Sequence, residues 1–171
     1  MTDSVSSGLP ALFTKSRAFP AILVGGLVVG VLDLTYAILV YSPKRPILIP
    51  QTIATGVLGM KSYSGGAQTA ALGVTLHFII AVGAATVYYL ASRRLAFLVH
   101  RAVLFGLVYG ALVYLFMHLV VLPLSAAPRG HMALIYKVCE FVEHWFFVGL
   151  PISLSVRHYS RGPARRKGTD E

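Results

Sequence analysis

The sequence predicts an all-α integral membrane protein with four transmembrane helices, both termini in the cytoplasm and a short non-spanning helix in the first outer loop. Three observations carry that prediction. Apolar residues make up 56% of the 171-residue chain and charged residues only 12%, against roughly 25% charged in ordinary globular domains. Four long apolar stretches are separated by more polar connections, of which only 42–67 is long. The basic residues fall between those stretches, and more of them fall on one side of the bilayer than on the other.

An α-helix needs about 20 mostly apolar residues to cross the hydrocarbon core, because lipid offers no partner to an exposed peptide group. Residues 18–41, 68–91, 101–122 and 132–156 qualify and define a transmembrane domain over 18–156, between an N-terminal tail (1–17) and a basic tail (157–171). Lys15 and Arg17 ahead of the apolar run 21–32 resemble the start of a signal peptide. The apolar character continues past Asp33 to Tyr41, and the small residue Ala37 lacks an A-x-A pattern, so the segment reads as an anchor. In the connection 42–67, Pro46 and Pro50 lead into about nine helix-compatible residues (51–59), a helix too short to span. It reads as an interfacial or re-entrant helix, or as a loop packed over whatever lies beneath it. Pro123 and Pro128 are expected to end the third helix, and Pro151 to kink the fourth one turn below Phe147. Tyr88 and Tyr89 sit where aromatic anchors are expected at an interface.

Orientation follows from Lys and Arg, which are in excess on cytoplasmic flanks. Lys15, Arg17, Arg93, Arg94, Arg101, Arg157, Arg161, Arg165, Arg166 and Lys167 fall on one side, and Lys44, Arg45, Lys61, Arg129 and Lys137 on the other. The richer side is therefore cytoplasmic, with the turn 93–101 inside and the polybasic tail disordered and in contact with anionic lipid. The excess of 15 basic over 6 acidic residues is thus a membrane signature. No zinc-finger spacing, RNP-like motif or basic helix accompanies it to suggest nucleic acid. Cys139 is the only cysteine, which excludes an intrachain disulfide and a multi-cysteine metal cluster. No internal or inverted repeat is visible, so a transporter built of two halves would need a homodimer. The expected partners are the lipid bilayer and either a second copy or another membrane protein.

Ionisable residues inside apolar spans are costly and normally face the helix interior. Asp33, His77, His118, Glu140, Glu143 and His144 are such residues, distributed over all four spans. At about 1.5 Å per residue, Asp33, His77 and Glu140 lie about 12 to 14 Å below the outer surface, Glu143 and His144 slightly deeper, and His118 at about 7 Å. Their faces point to a common interior. Asp33 shares a stripe with Gly26 and Gly30, His77 with Gly73, Ala81 and Ala84, and His118 with Tyr114 and Ala111, while Gly106 and Gly110 repeat the small-xxx-small spacing. Glu140, Glu143 and His144 project from one face within a turn. Two carboxylates so placed in a low dielectric do not easily both ionise, so one keeps a proton or a cation neutralises them.

Three uses of this set compete. His77, Glu140, Glu143 and His144 suit a divalent metal, although the paired Glu-x-x-His motifs of a di-iron helix bundle are absent. Chains of Asp, Glu and His also line proton- and ion-linked pathways. A hydrogen-bonded network that fixes helix register is the structural alternative. Haem between His77 and His118 is disfavoured by their depth difference of about 7 Å. No nucleotide-binding glycine loop, nucleophile elbow or HExxH motif appears, so nothing signals an enzyme.

These residues resemble the YagU-type family of uncharacterised bacterial inner-membrane proteins. The resemblance rests on His77 early in the second span, Phe116-Met117-His118 followed by Leu122-Pro123-Leu124, and Glu140 four residues before His144 with aromatics after it. It covers about the C-terminal two thirds. The first span and its loop depart from the family pattern, so Asp33 is not carried over. The resemblance implies a bacterial inner-membrane location and a link to acid resistance. The reading as a whole is a multi-pass membrane protein with a buried His/carboxylate site, proton- or ion-linked, in acid-stress response or small-solute handling. The alternatives are a metal-binding membrane protein or metal-dependent enzyme, and a structural or assembly protein.

Overall fold

Helices cover the apolar stretches of the sequence. The computed structural model describes residues 17–128, 130 and 133–160; the expected N-terminal tail up to residue 16, Arg129 and the tail from residue 161 lie outside the described residues. Among the described residues the secondary structure is entirely helical, without strands. The chain forms α1 (Ala18–Tyr41), α2 (Leu48–Leu58), a 3-10 turn (Gly59–Ser64), α3 (Gly66–Arg94), the short α4 (Phe97–His100) and α5 (Ala102–Leu124). It ends in α6 (Leu134–Glu143), a π-helical segment (His144–Gly149) and α7 (Leu150–Ser160). By length and composition α1, α3 and α5 can each cross a membrane, as expected of a multi-pass membrane protein. Leu27, Val31, Ile79, Val87, Leu112 and Leu119 on these helices face outward, a surface suited to lipid rather than water. The continuous stretch 134–160 is about 40 Å long, but Lys137, Glu140, Glu143 and His144 make it less apolar than the other three.

Small residues set how these helices approach. α1 lies between α3 and α7. A Cβ on Gly26 would stand 2.8 Å from the Val82 Cα, and one on Gly30 would run into the Phe78 ring. On the other flank Ser155 Oγ of α7 donates to the Ala21 carbonyl at 2.9 Å. α5 packs on the π segment and α7, with Gly106 against Ser153 and the Gly149 carbonyl, and Gly110 against the backbone of His144 and Trp145. Where backbones touch in this way only glycine fits, and the gain is van der Waals contact. Ala21, Val29, Ala81, Ala85, Tyr88, Val148, Ile152 and Val156 fill the core between the helices. Tyr88 and Tyr89 belong to that core and are buried, a correction to their reading as interfacial anchors. Tyr88 donates to the Leu98 carbonyl at 3.0 Å, and Tyr109 of α5 donates across to Ala84 of α3 at 2.7 Å. A buried tyrosine hydroxyl needs such a partner, which explains the inward turn.

α2 lies across one end of the molecule. Its Pro50 carbonyl abuts Gly73 of α3, and the buried Gln51 side chain donates to the Gly66 carbonyl at 3.1 Å. Ser62 Oγ donates to the Gln51 carbonyl and Thr69 Oγ1 to the Ser62 carbonyl, both at 2.6 Å. At its far end Gly56 accepts the Ala126 amide at 2.9 Å, so α2 bridges α3 and the segment that follows α5.

Two π-helical segments each run up to a proline. Met117–Val121 precedes Pro123, and His144–Gly149 precedes Pro151. In a regular helix the carbonyl four residues before a proline has no amide to meet. The wider register shows just ahead of each proline, where the Leu122 amide donates to the Met117 carbonyl and the Leu150 amide to the Trp145 carbonyl, five residues back in each case. α5 therefore continues through Pro123, where the sequence suggests an end, and Pro151 is accommodated by a widened backbone. The two segments carry His118 and His144.

Candidate functional site

The six expected ionisable residues lie within about three turns of the helix ends nearest α2. They form three histidine–carboxylate pairs. Between α1 and α3, His77 Nε2 stands 3.0 Å from the Gly30 carbonyl and 3.7 Å from Asp33 Oδ2. Between α5 and α6, His118 Nε2 stands 3.5 Å from Glu140 Oε2, while its Nδ1 faces the Tyr114 carbonyl at 3.1 Å. At the start of the π segment, His144 Nδ1 lies 2.8 Å from Glu143 Oε2 and 2.9 Å from the Glu140 carbonyl.

These contacts assign the imidazole protons. A carbonyl oxygen only accepts, so the nitrogen facing it carries hydrogen: Nε2 of His77 and Nδ1 of His118 and His144. The remaining nitrogen of His118 faces the Glu140 carboxyl, and a hydrogen bond between them requires a proton on one or the other. At 3.5 Å that bond is not formed, and Glu140 Oε2 is buried without a hydrogen bond.

The pairs are joined. Asp33 pairs with His77 on one side, and on the other its carboxylate lies with one ligand atom each of Glu143 and His144 in a group whose atoms are all within 4.8 Å of one another. The Tyr114 ring stacks on His118 with centroids 4.1 Å apart and meets His144 edge-on at 5.4 Å. A continuous layer thus runs from His77 on α3 through Asp33, Glu143 and His144 to His118 on α5. The Glu143 side chain is 2% exposed and that of His144 11%, against 22% to 28% for Asp33, Glu140 and His118, so the layer is driest at Glu143.

The spacing puts Glu140 and Glu143 on one face, yet their carboxyls meet different partners. A step of three residues leaves about 60° between side chains, and the two carboxyls turn to different neighbours, Glu140 to His118 and Glu143 to His144 and Asp33. The close carboxylate pair is Asp33 with Glu143. Of the four expected metal ligands, Glu143 and His144 enter the group within ligand reach; Asp33 takes the place of His77 and Glu140. Glu143 Oε1 and Trp145 Nε1 are buried without hydrogen-bond partners.

Other contributors were hidden from sequence reasoning. Tyr114 was visible only as a stripe neighbour of His118, and its bridging role depends on the approach of α5 to the π segment at Gly110. The carbonyls of Gly30, Tyr114 and Glu140 leave no sequence signal at all. Toward the α2 end, Tyr36, Tyr41 and Tyr136 form an edge-to-face ladder with centroid spacings of 6.1 and 5.7 Å, and Tyr36 meets Phe147 at 5.6 Å. Comparison of the chain with protein-family models, with curated proteins and with solved structures finds no match.

Proposed function

We propose that the chain is a four-span protein of the bacterial inner membrane whose His/carboxylate layer binds an ion or small solute in exchange for protons, in acid-stress response or small-solute handling. The observation that carries this reading is the layer itself: three histidine–carboxylate pairs on all four long helical stretches, joined through Asp33 and Tyr114. In a low-dielectric interior such pairs are where protons and cations exchange. The fourth span is 134–160, whose polar residues turn toward α1 and α5. Both termini lie in the cytoplasm, which puts Arg93, Arg94, Arg101 and Arg157 inside and α2 outside, at the end nearest the layer. The resemblance to the YagU-type family adds the link to acid resistance.

A purely structural network is the competing reading. It fits poorly with Glu143 Oε1, because a network retained only for register satisfies its buried polar atoms. The test compares cells making the wild-type chain with cells making Glu140→Gln/His144→Gln at equal membrane abundance. Survival after acid exposure is expected to fall to that of cells lacking the protein. Unchanged survival together with unchanged ligand binding would contradict the proposal.

A further inference from the structure

The geometry points to a binding site for one divalent transition-metal ion at Asp33, Glu143 and His144. The inference rests on the proposal that the layer binds an ion, and names the class of ion. One ligand atom from each of the three residues lies within 4.8 Å of the others, a separation that small side-chain movements convert to a shared cation. The donors are oxygen, oxygen and imidazole nitrogen. Imidazole in the set favours manganese, iron or zinc over calcium or magnesium, which take oxygen. The absence of a thiolate disfavours copper(I).

Two features beyond the clustering support a ligand. Glu143 is buried, its Oε2 turned to His144 and its Oε1 left without a partner. An orphaned carboxylate oxygen in a dry interior costs free energy unless something positive meets it. Among the described residues, the ion pairs of Asp33, Glu140 and Glu143 are all to histidine. In addition, His144 Nδ1 is anchored on the Glu140 carbonyl at 2.9 Å. That contact fixes the orientation of the ring beside Glu143. His77, beside Asp33 at 3.7 Å, would orient that ligand from the α3 side. Three protein ligands leave a fourth position open to water or a solute.

The test uses the full-length chain, purified in detergent without a histidine tag and stripped with chelator, then titrated with zinc and separately with manganese. About one ion per chain is expected, undiminished by excess magnesium. Glu143→Gln and, independently, Asp33→Asn are expected to weaken binding at least tenfold, whereas His118→Gln, in the same layer but outside the ligand group, is expected to leave it within a factor of about three. Two separate ligand variants keep the test decisive should one of them fold poorly. Wild-type chain that binds neither ion, or binding equally strong in both ligand variants, overturns the site. If zinc binding is absent while Glu140→Gln/His144→Gln still abolishes acid survival, the metal inference falls alone; if both readouts are flat, the proposed function falls with it.

Discussion

Single glycines fix the position of the layer. Gly110 lets the backbone of His144 and Trp145 lie directly on α5, and that approach places Tyr114 against both His118 and His144. A methyl group at residue 110 has no room because the opposing atoms are backbone. Gly110→Ala is expected to destabilise the detergent-solubilised protein by about 1–3 kcal/mol, measured as a fall in thermal unfolding temperature. Gly83 has nothing within 4 Å of an added Cβ, and Gly83→Ala should change stability by less than about 0.5 kcal/mol. Tyr109→Phe tests a single interhelical hydrogen bond, the one to the Ala84 carbonyl; bonds of this kind inside membranes average about 0.6 kcal/mol, and unfolding by denaturing detergent should show a loss of that size.

At the scale of elements, the two π segments aim the histidines. Each shifts the helix register just before a proline, so the side chains ahead of it face neighbours that a regular helix would miss. Pro151→Ala restores an amide at residue 151. The segment is then free to close into a regular helix, turning His144 away from Asp33. The variant is expected to keep its helix content by circular dichroism yet lose zinc binding at least tenfold. α2 is held by a different device, the contact of Pro50 with Gly73. Gly73→Leu should lift α2 from α3. In a Cys139→Ser background, a cysteine placed at the buried Thr55 should then react with a water-soluble maleimide faster than it does with Gly73 in place. The positions of the long helices were legible in the sequence, because apolar runs and their flanking charges report directly on length. The π segments were not: Pro123 signalled an end and Pro151 a kink, and the packing of Gly106 and Gly110 on the second segment leaves no sequence signal of a widened backbone.

For the whole molecule, the arrangement concentrates ionisable side chains in one layer near one end and leaves the outer faces of α1, α3 and α5 apolar. All six members of that layer were legible as polar residues in apolar runs. Their partners were not, since which carboxylate meets which histidine depends on helix neighbours: α1 sits beside α7 and the π segment, which turns Glu143 toward Asp33 rather than toward Glu140. The central claim is that this layer exchanges protons as a unit. Infrared difference spectra of the membrane-reconstituted protein between acidic and neutral conditions test it directly. The account predicts carboxyl and imidazole bands that change together and are both diminished in Glu143→Gln. Spectra without such bands, or bands that persist unchanged in Glu143→Gln, would contradict it and leave the layer as a structural network.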